Sequence, residues 1–546
     1  MLKNDGEGYT QCTWNPVQCS WGQVRVHDTI LVIHWLLEHA ELDAKDDAIL
    51  WETMDMLYDM SRFKWEDWYK NGRYEKVIGN PTTDNPLFPY IHGVNVGQGL
   101  KSAAVIRRFT HRDSLSKTTT NGVDWTFKYK GAASGTILAD EIQRDLAPFM
   151  GSELCTAVET GYSLAYLYQA LGTNSFADRA ELVIFNALPT MLTHDMWAHQ
   201  YMTRPNAPWA LNQHRQPSLF TTANGVATIF GLEPQYPCCT VNFPQGYPKF
   251  LANSWARADK GLVHALLSPS TVDTTIPEIG RVAITCETEY PFSNRLRYIV
   301  DAESDFDLYL RFPSWGVLTK SVLSLSADGA EAETLPMSPN ENTGLLRVSV
   351  PKGKSILEYY IDYAVRVETR ERADNAVSVY VGNVLYALDV GESVTSSLPH
   401  RYWETSGNGT TEFSEYENVK DNYFNFTKPW NVAIDPSTIR HHEHTDAGIQ
   451  RGFSARQADK GPTNYLTVQG CQIDWPVREG VAPDVPPTDP ACVTEKQTYR
   501  MIPYGLAKIH MSELPTIKLS RRRGSAVPGR IVATKGVVDS DGPSDL

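Results

Sequence analysis

The apolar residues of this chain repeat at two different spacings, and the change from one to the other falls near residue 260. Before that point, apolar residues recur every three to four positions, which is the spacing of an amphipathic helix. The clearest such segments are Val24 to Ala40, His92 to Phe109, Glu153 to Leu171 and Phe176 to Met191. After that point, short runs such as Phe306 to Phe312 alternate apolar and polar residues, as strands with one buried face do. The sequence therefore predicts a multidomain α plus β protein with a helical first half.

The β half divides further by composition. Strand-like runs between residues 260 and 393 are separated by glycine, proline, asparagine and aspartate, as in a β-sandwich. From Val394 onward proline, glycine and charge increase and strand signals become sparse, and the last residues have the composition of a disordered tail. We therefore predict a helical domain at 1–259, a β-sandwich at 260–393, a β-rich or irregular region at 394–518 and a tail at 519–546.

Charge and length limit the class of partner. The 546 residues are 42% hydrophobic and 21% charged, enough for two or three domains with their own cores. With 50 Lys and Arg against 64 Asp and Glu, the formal charge of -14 argues against nucleic acid and anionic membrane surfaces as partners. A neutral ligand fits this balance better. The 14 Trp and 26 Tyr offer flat faces that suit sugar rings, although most aromatic residues in a large protein pack in its core.

The compartment stays open on the sequence alone. No apolar run is long enough to span a membrane, and the opening residues MLKNDGEGYTQC have no signal-peptide pattern. Cys12 with Cys19, and Cys471 with Cys492, could nevertheless pair as disulfides in a secreted protein.

Two adjacent cysteines, Cys238 and Cys239, lie between prolines in the stretch QYPCCTVNFP. A disulfide between neighbours is strained, so the pair better suits two ligands of one metal ion, or a ligand and a nucleophile. Glu153 and Cys155, two residues apart before a periodic helix, offer the remaining ligands. Three thiolates and a carboxylate suit Zn²⁺ and disfavour Mg²⁺ or Ca²⁺. Spacing alone favours a simpler interpretation, in which these thiols are buried core residues.

Five motifs follow one another along the chain. They are His92-Gly-Val-Asn-Val-Gly-Gln-Gly-Leu-Lys101, Ala139-Asp-Glu141, Gly151-Ser-Glu-Leu-Cys155, Asp195-Met-Trp-Ala-His-Gln-Tyr201 and Pro237-Cys-Cys239. This series resembles glycoside hydrolase family 127, the β-L-arabinofuranosidases, over about residues 20 to 390. The resemblance implies an (α/α) six-hairpin barrel followed by β-sandwich domains, and a carbohydrate substrate. It also implies a zinc ion bound by Glu153, Cys155, Cys238 and Cys239, with Cys238 as the nucleophile of a retaining mechanism.

The resemblance assigns the other site residues less directly. Glu141 lies where the family keeps its general acid/base, but the local sequence differs and Asp140 is a rival. Both carboxylates could instead be a solvated charge pair at a helix start. His92 resembles a histidine that contacts the sugar, and His199 and Tyr201 are expected in the same pocket.

The chain departs from the family at its first residues. Family members carry a helical segment ahead of the QCSWGQVR region, and the helical segments visible here are fewer than six hairpins require. We therefore expect a barrel that is incomplete at its N-terminus, with apolar faces left without partners.

Three functions remain open: a zinc-thiolate glycosidase, a hydrolase or lyase for a different sugar on the same scaffold, and a catalytically impaired carbohydrate-binding relative. The first two require Glu153, Cys155 and the cysteine pair to converge on one point.

Overall fold

The structure is a computed structural model, and it describes residues 21–79, 82, 84–143, 146–212, 226–233, 237–370, 375–400, 418–443, 464–517 and 532–534. Among these residues, helices come first, and five β-sheets of four or more strands occupy most of the rest. The mixed helix and sheet composition confirms the predicted fold class at this level. Closure of the helices into a six-hairpin barrel and the division into four domains stay predictions.

The described α-helices all precede residue 253. Their bounds are Val26–His39, Ala44–Met60, Trp65–Trp68, Gly93–Gly99, Ser102–Thr110, Ser114–Lys130, Leu154–Leu171, Asn174–Leu182, Leu188–Thr190, Cys238–Asn242 and Gly246–Ala252. The segment predicted as one helix from His92 to Phe109 is broken after Gly99. A π-helical turn at Val183–Ala187 joins the two helices on either side of it. Periodicity therefore located these segments, but it did not reveal the interruptions within them.

Two sheets follow directly after the last helix. A six-stranded sheet has the order Ser270–Ile276, Gly280–Thr288, Arg295–Ala302, Gly353–Tyr360, Val322–Ala327 and Glu333–Leu335. A four-stranded sheet has the order Leu345–Val350, Phe306–Arg311, Gly261–His264 and Trp255–Ala258. Burial alternates along Leu345–Val350 and Gly353–Tyr360, as expected for strands with one face toward a core.

The region after residue 393 contains longer strands than its sparse signals predict. Val432–His442, Tyr465–Gln472 and Gln497–Pro503 join a nine-stranded sheet that also contains Val384–Leu388, Ala376–Val381, Val365–Arg370, Val532–Thr534, His510–Met511 and Asn206–Ala207. A five-stranded sheet combines Ser393–Ser397 and Asp421–Asn425 with His199–Gln200, Trp209–Ala210 and Phe230–Gly231. Strands from the helical half thus lie in the same sheets as strands from the end of the chain.

The predicted disulfides and the predicted tail lie only partly within the described residues. Cys471 and Cys492 form a disulfide with a Cα–Cα distance of 5.5 Å, whereas Cys12 and Cys19 lie outside the described residues. Of the predicted tail, the structure describes Val532–Thr534, which pair in parallel with the strand Val365–Arg370. No helix within the described ranges is both long and apolar enough to cross a membrane.

One hydrophobic core runs from the helices into the first two sheets, from Val24 to Ile361. Arg311, whose side chain is fully buried, crosses this junction from the strand Phe306–Arg311 to the helix Asn174–Leu182. It donates to Asp178 Oδ1 at 2.6 Å, to Glu181 and to the carbonyl of Ala265 at 2.7 Å. Tyr290 donates its hydroxyl to the second oxygen of Glu181 at 2.5 Å. These contacts satisfy charges that would otherwise be costly to bury.

Replacing Arg311 with methionine keeps an apolar stem but leaves the Glu181 carboxylate buried without a cation. We expect the free energy of unfolding to fall by about 3–5 kcal/mol, because breaking one side of a buried ion pair strands the other charge. Urea denaturation followed by circular dichroism measures this change.

Arg347→Met is the matched control. Arg347 also pairs with an aspartate, Asp307 at 2.8 Å, but its side chain is 64% exposed. Its loss should change the free energy of unfolding far less, because water screens an exposed ion pair. Equal losses in the two variants would contradict the role given to Arg311.

Candidate active site

A sheet of four two-residue strands brings the candidate residues together. Ala139–Asp140 pairs antiparallel with Ile142–Gln143 and in parallel with Ser152–Glu153. Ser152–Glu153 pairs in turn with Met202–Thr203. Glu141 therefore lies in the turn between the first two strands, Glu153 ends the third, and Tyr201 directly precedes the fourth. Backbone pairing therefore places these three residues at the same end of the small sheet.

Two helix starts supply the thiols. The helix Leu154–Leu171 begins directly after Glu153, so Cys155 lies in its first turn, and the amide of Leu154 donates to the carbonyl of Tyr201 at 3.0 Å. The helix Cys238–Asn242 begins at the cysteine pair. Two segments about eighty residues apart in sequence thus meet at their helix N-termini.

The three sulfurs and one carboxylate converge as the sequence predicted. Cys155 Sγ lies 3.3 Å from Cys239 Sγ and 3.8 Å from Cys238 Sγ, and Cys239 Sγ lies 3.9 Å from Glu153 Oε1. The four ligand atoms all lie within 4.8 Å of one another. Two sulfurs bound to one tetrahedral Zn²⁺, each at about 2.3 Å, are separated by about 3.8 Å. The donor types and their spacing therefore fit a tetrahedral metal site.

Because the cluster is buried, its ionised form is costly unless a cation is bound to it. Glu153 and Cys239 are buried, and Glu153 Oε2 has no hydrogen-bond partner among the described residues. Burial raises the pKa of Glu153 and of Cys239 well above their ordinary values, and the neighbouring acidic groups add to both shifts. Contacts from the Cys155 and Cys239 thiols lower the pKa of Cys238 to about 3. Cys238, which is only partly buried, is therefore the thiol that ionises first.

Glu141 is held in an unusual backbone conformation. Its φ of 77° lies in the left-handed region, where non-glycine residues are uncommon and which recurs at functional sites. Its Oε2 lies 2.8 Å from His92 Nε2, and Tyr201 donates its hydroxyl to Oε1. It is thus Glu141 whose carboxylate contacts two of the three predicted pocket residues, whereas Asp140 is fully buried in the adjoining strand.

Tyr201 connects the carboxylate to the thiols. The Cys238 thiol also lies within hydrogen-bond reach of this hydroxyl, which lowers the pKa of the thiol when its single proton is donated to the sulfur instead of to Glu141. Since both groups lie within hydrogen-bond reach of one oxygen, the Glu141 carboxylate and the Cys238 sulfur are separated by at most about 6.5 Å. His92, Glu141 and Glu153 form a second compact group of ligand atoms beside the first. The Glu141 carboxylate and the Cys238 thiol are therefore neighbours of one hydroxyl group.

His199 contacts the helix that begins at the cysteine pair. Its Nε2 is 2.8 Å from Thr240 Oγ1, and Thr240 donates its own hydroxyl proton to the carbonyl of Leu232 at 2.5 Å. His199 Nε2 must therefore donate to Thr240. Burial lowers the pKa of His199 to about 4, so the ring is neutral at pH 7. The structure brings His92 and Tyr201 to Glu141, but it places His199 against the helix that carries the thiols.

Glu233 is a nearby residue that the sequence analysis did not identify. It has a φ of 47°, its side chain is 7% exposed, and its Oε1 lies 3.8 Å from His199 Nδ1. Burial, followed by the negative charge of Cys238, raises its pKa well above the ordinary value. Only its position five residues before Cys238 could have suggested it, because it lies in a loop without periodicity.

No protein-family model and no curated protein matches the sequence. Solved structures do match it. A glycoside hydrolase superposes with a TM-score of 0.59 at 15% identity, covering 93% of this chain and 77% of that one. A family 127 β-L-arabinofuranosidase from Geobacillus stearothermophilus gives 0.53 at 13% identity, covering 90% and 70%. A second family 127 β-arabinofuranosidase gives 0.54 at 14% identity, covering 88% and 66%. The chain therefore has the fold of the glycoside hydrolase family 127 β-L-arabinofuranosidases.

Proposed function

We propose that this protein is a retaining glycoside hydrolase that acts on β-L-arabinofuranosides or a related plant cell-wall sugar. One observation carries the proposal: three thiols and a carboxylate converge beside Glu141, on the fold of the β-L-arabinofuranosidases. The proposal includes the six-hairpin barrel and β-sandwich arrangement implied by that family. A hydrolase or lyase for a different sugar is the second candidate, because fold alone does not fix the substrate.

The proposed metal is Zn²⁺, with Glu153, Cys155, Cys238 and Cys239 as its ligands. Glu153 Oε2, which has no hydrogen-bond partner in the described part of the chain, supports this choice, as do the spacing of the sulfurs and the preference of Zn²⁺ for thiolates. When bound, the ion would keep the thiols deprotonated at neutral pH and offset their negative charge.

Cys238 is the proposed nucleophile because it is the least buried of the three thiols and the one with the lowered pKa. Its thiolate would attack the anomeric carbon and form a sulfur–carbon bond, while the bond from that carbon to the leaving oxygen breaks. Water would then attack the same carbon and release the thiolate. Each displacement inverts the anomeric centre, so the two together retain its configuration.

Glu141 is the proposed general acid/base. As a carboxylic acid it would give its proton to the leaving oxygen, and as a carboxylate it would then take a proton from the attacking water. The contacts from Tyr201 and His92 fix the orientation of the carboxyl group for both steps. Retaining glycosidases hold their two catalytic groups about 5–5.5 Å apart, which the limit set by Tyr201 allows.

We expect purified protein to contain about one Zn²⁺ per chain, and Glu153→Ala or Cys239→Ala to weaken zinc binding by about tenfold or more. Elemental analysis of protein prepared under reducing conditions measures this. Cys286→Ala is the matched control, since Cys286 is another buried free cysteine outside the cluster. Zinc-free wild-type protein after zinc loading would contradict the proposed site.

Cys238→Ala should lower hydrolysis of a β-L-arabinofuranoside by about a thousandfold or more, because the covalent route is lost. Zinc should remain partly bound through the other three ligands, and Cys286→Ala should leave the rate unchanged. Proton NMR at early times should show the β-anomer as the first sugar released by the wild-type enzyme. An α-anomer as the first product would overturn the thiolate mechanism.

Glu141→Gln should slow hydrolysis of a methyl β-L-arabinofuranoside by about 10²–10⁴-fold, since the methoxide leaving group needs a proton. Release of nitrophenolate from an activated aryl glycoside should slow much less in a stopped-flow measurement of the first turnover. Asp140→Asn tests the rival carboxylate. If that variant, and not Glu141→Gln, shows the leaving-group dependence, the assignment of the acid/base is wrong.

A further inference from the structure

Lys508 is a buried lysine whose amine is held by backbone carbonyls. It lies two residues after the 3₁₀-helix Tyr504–Leu506, and it is only 4% exposed. Its Nζ donates to the carbonyl of Pro189 at 2.7 Å and to the carbonyl of Gly505 at 3.3 Å. No carboxylate in the described part of the chain forms an ion pair with this nitrogen. The amine therefore lacks the counterion that a buried ammonium group usually has.

Glu392 is the acidic residue whose charge reaches Lys508, but its carboxylate is bound elsewhere. Glu392 Oε1 lies 2.6 Å from His194 Nε2. Burial, which outweighs the effect of Glu392, lowers the pKa of Lys508 to about 7. A large fraction of the amine is therefore neutral at pH 7. A neutral amine has two N–H groups, which the two carbonyls accept, and a lone pair that neither carbonyl uses.

A small cavity adjoins the amine. Its lining includes Lys508, the two residues whose carbonyls hold the amine, and His194 and Met196. Its volume of about 20 Å³ is enough for one water molecule. Met196 is 37% exposed and the His194 side chain is 29% exposed, so this wall of the cavity reaches the protein surface. A small molecule can therefore approach the amine from solvent, whereas a bulky one cannot.

We propose that Lys508 is a covalent binding site for small aldehydes, with which its amine forms an imine at the wall of this cavity. In this reaction Nζ attacks the carbonyl carbon and forms a C–N bond, while the carbonyl oxygen takes a proton. The nitrogen then loses both of its hydrogens as protons, and the oxygen leaves as water. Amine and aldehyde thus give one imine and one water, and no oxidant or reductant is consumed. The site is separate from the proposed hydrolysis and does not depend on it.

Lys101 shows what distinguishes Lys508 from another buried lysine. Lys101 is 0% exposed, but its Nζ lies 2.7 Å from Asp28 Oδ1. That ion pair stabilises the ammonium form, which has no lone pair and does not attack a carbonyl carbon. Burial alone therefore does not make a lysine reactive, and Lys101 is the matched buried control.

Reductive trapping on the whole protein tests the site. The protein is incubated with acetaldehyde and cyanoborohydride, which reduces an imine to a stable ethylamine, and the labelled lysines are mapped by mass spectrometry of peptides. Exposed lysines are almost wholly protonated at about pH 6, and Lys352 represents them. At that pH we expect Lys508 to be labelled about tenfold or more faster than Lys352, because more of its amine is neutral. Lys101 should stay unlabelled.

A bulky aldehyde separates the effect of the cavity from the reactivity of the amine. Pivalaldehyde carries a tert-butyl group on its carbonyl carbon, and this group exceeds the space beside Lys508. It should label Lys352 in preference to Lys508, which reverses the order expected with acetaldehyde.

Labelling of Lys508 by acetaldehyde no faster than that of Lys352 would overturn the proposal. Equal labelling of Lys508 by the two aldehydes would also overturn it, because the reactivity would then not depend on the cavity. Both measurements use the wild-type protein, so neither result can be attributed to a variant that fails to fold.

Discussion

The candidate active site depends on the register of the small sheet that pairs Ser152–Glu153 with Ala139–Asp140 and with Met202–Thr203. These strands are only two residues long, so few backbone hydrogen bonds determine where Glu141, Glu153 and Tyr201 lie. A shift of one residue would turn each side chain to the opposite face. The helix Leu154–Leu171 begins at this sheet, and its buried body packs it against the core, so core packing helps to hold the register.

Much of the fold was predictable because long elements repeat their apolar residues. The helix Leu154–Leu171 and the strand Leu345–Val350 lie where periodicity places them. The two-residue strands carry no period, so the sequence could not predict the small sheet. The convergence of Cys155 with Cys239 was expected from thiolate chemistry and from family resemblance. Glu233 was missed because a loop residue without a motif reaches the site only through tertiary structure.

Two strained backbone positions lie where the chemistry is proposed. Glu141 and Glu233 have positive φ without being glycine, and both lie close to the cluster of thiols. Such conformations cost about 1–3 kcal/mol each and persist when their surroundings determine them. The carboxyl group of Glu153 and the thiols of Cys155 and Cys239 are buried side by side. Ionising them there costs further electrostatic free energy. The site is therefore a destabilised region that the rest of the core supports.

The Arg311 cluster has a consequence for how this protein could be divided. Glu181 belongs to a helix and Arg311 to a strand, and one continuous core covers both. A fragment ending near residue 260 would keep the buried carboxylate and lose its cation, together with one wall of its core. The change from helices to strands near residue 260 is thus not a boundary between two separate hydrophobic cores. Recombination between relatives would have to exchange both halves together to preserve charge balance at this junction.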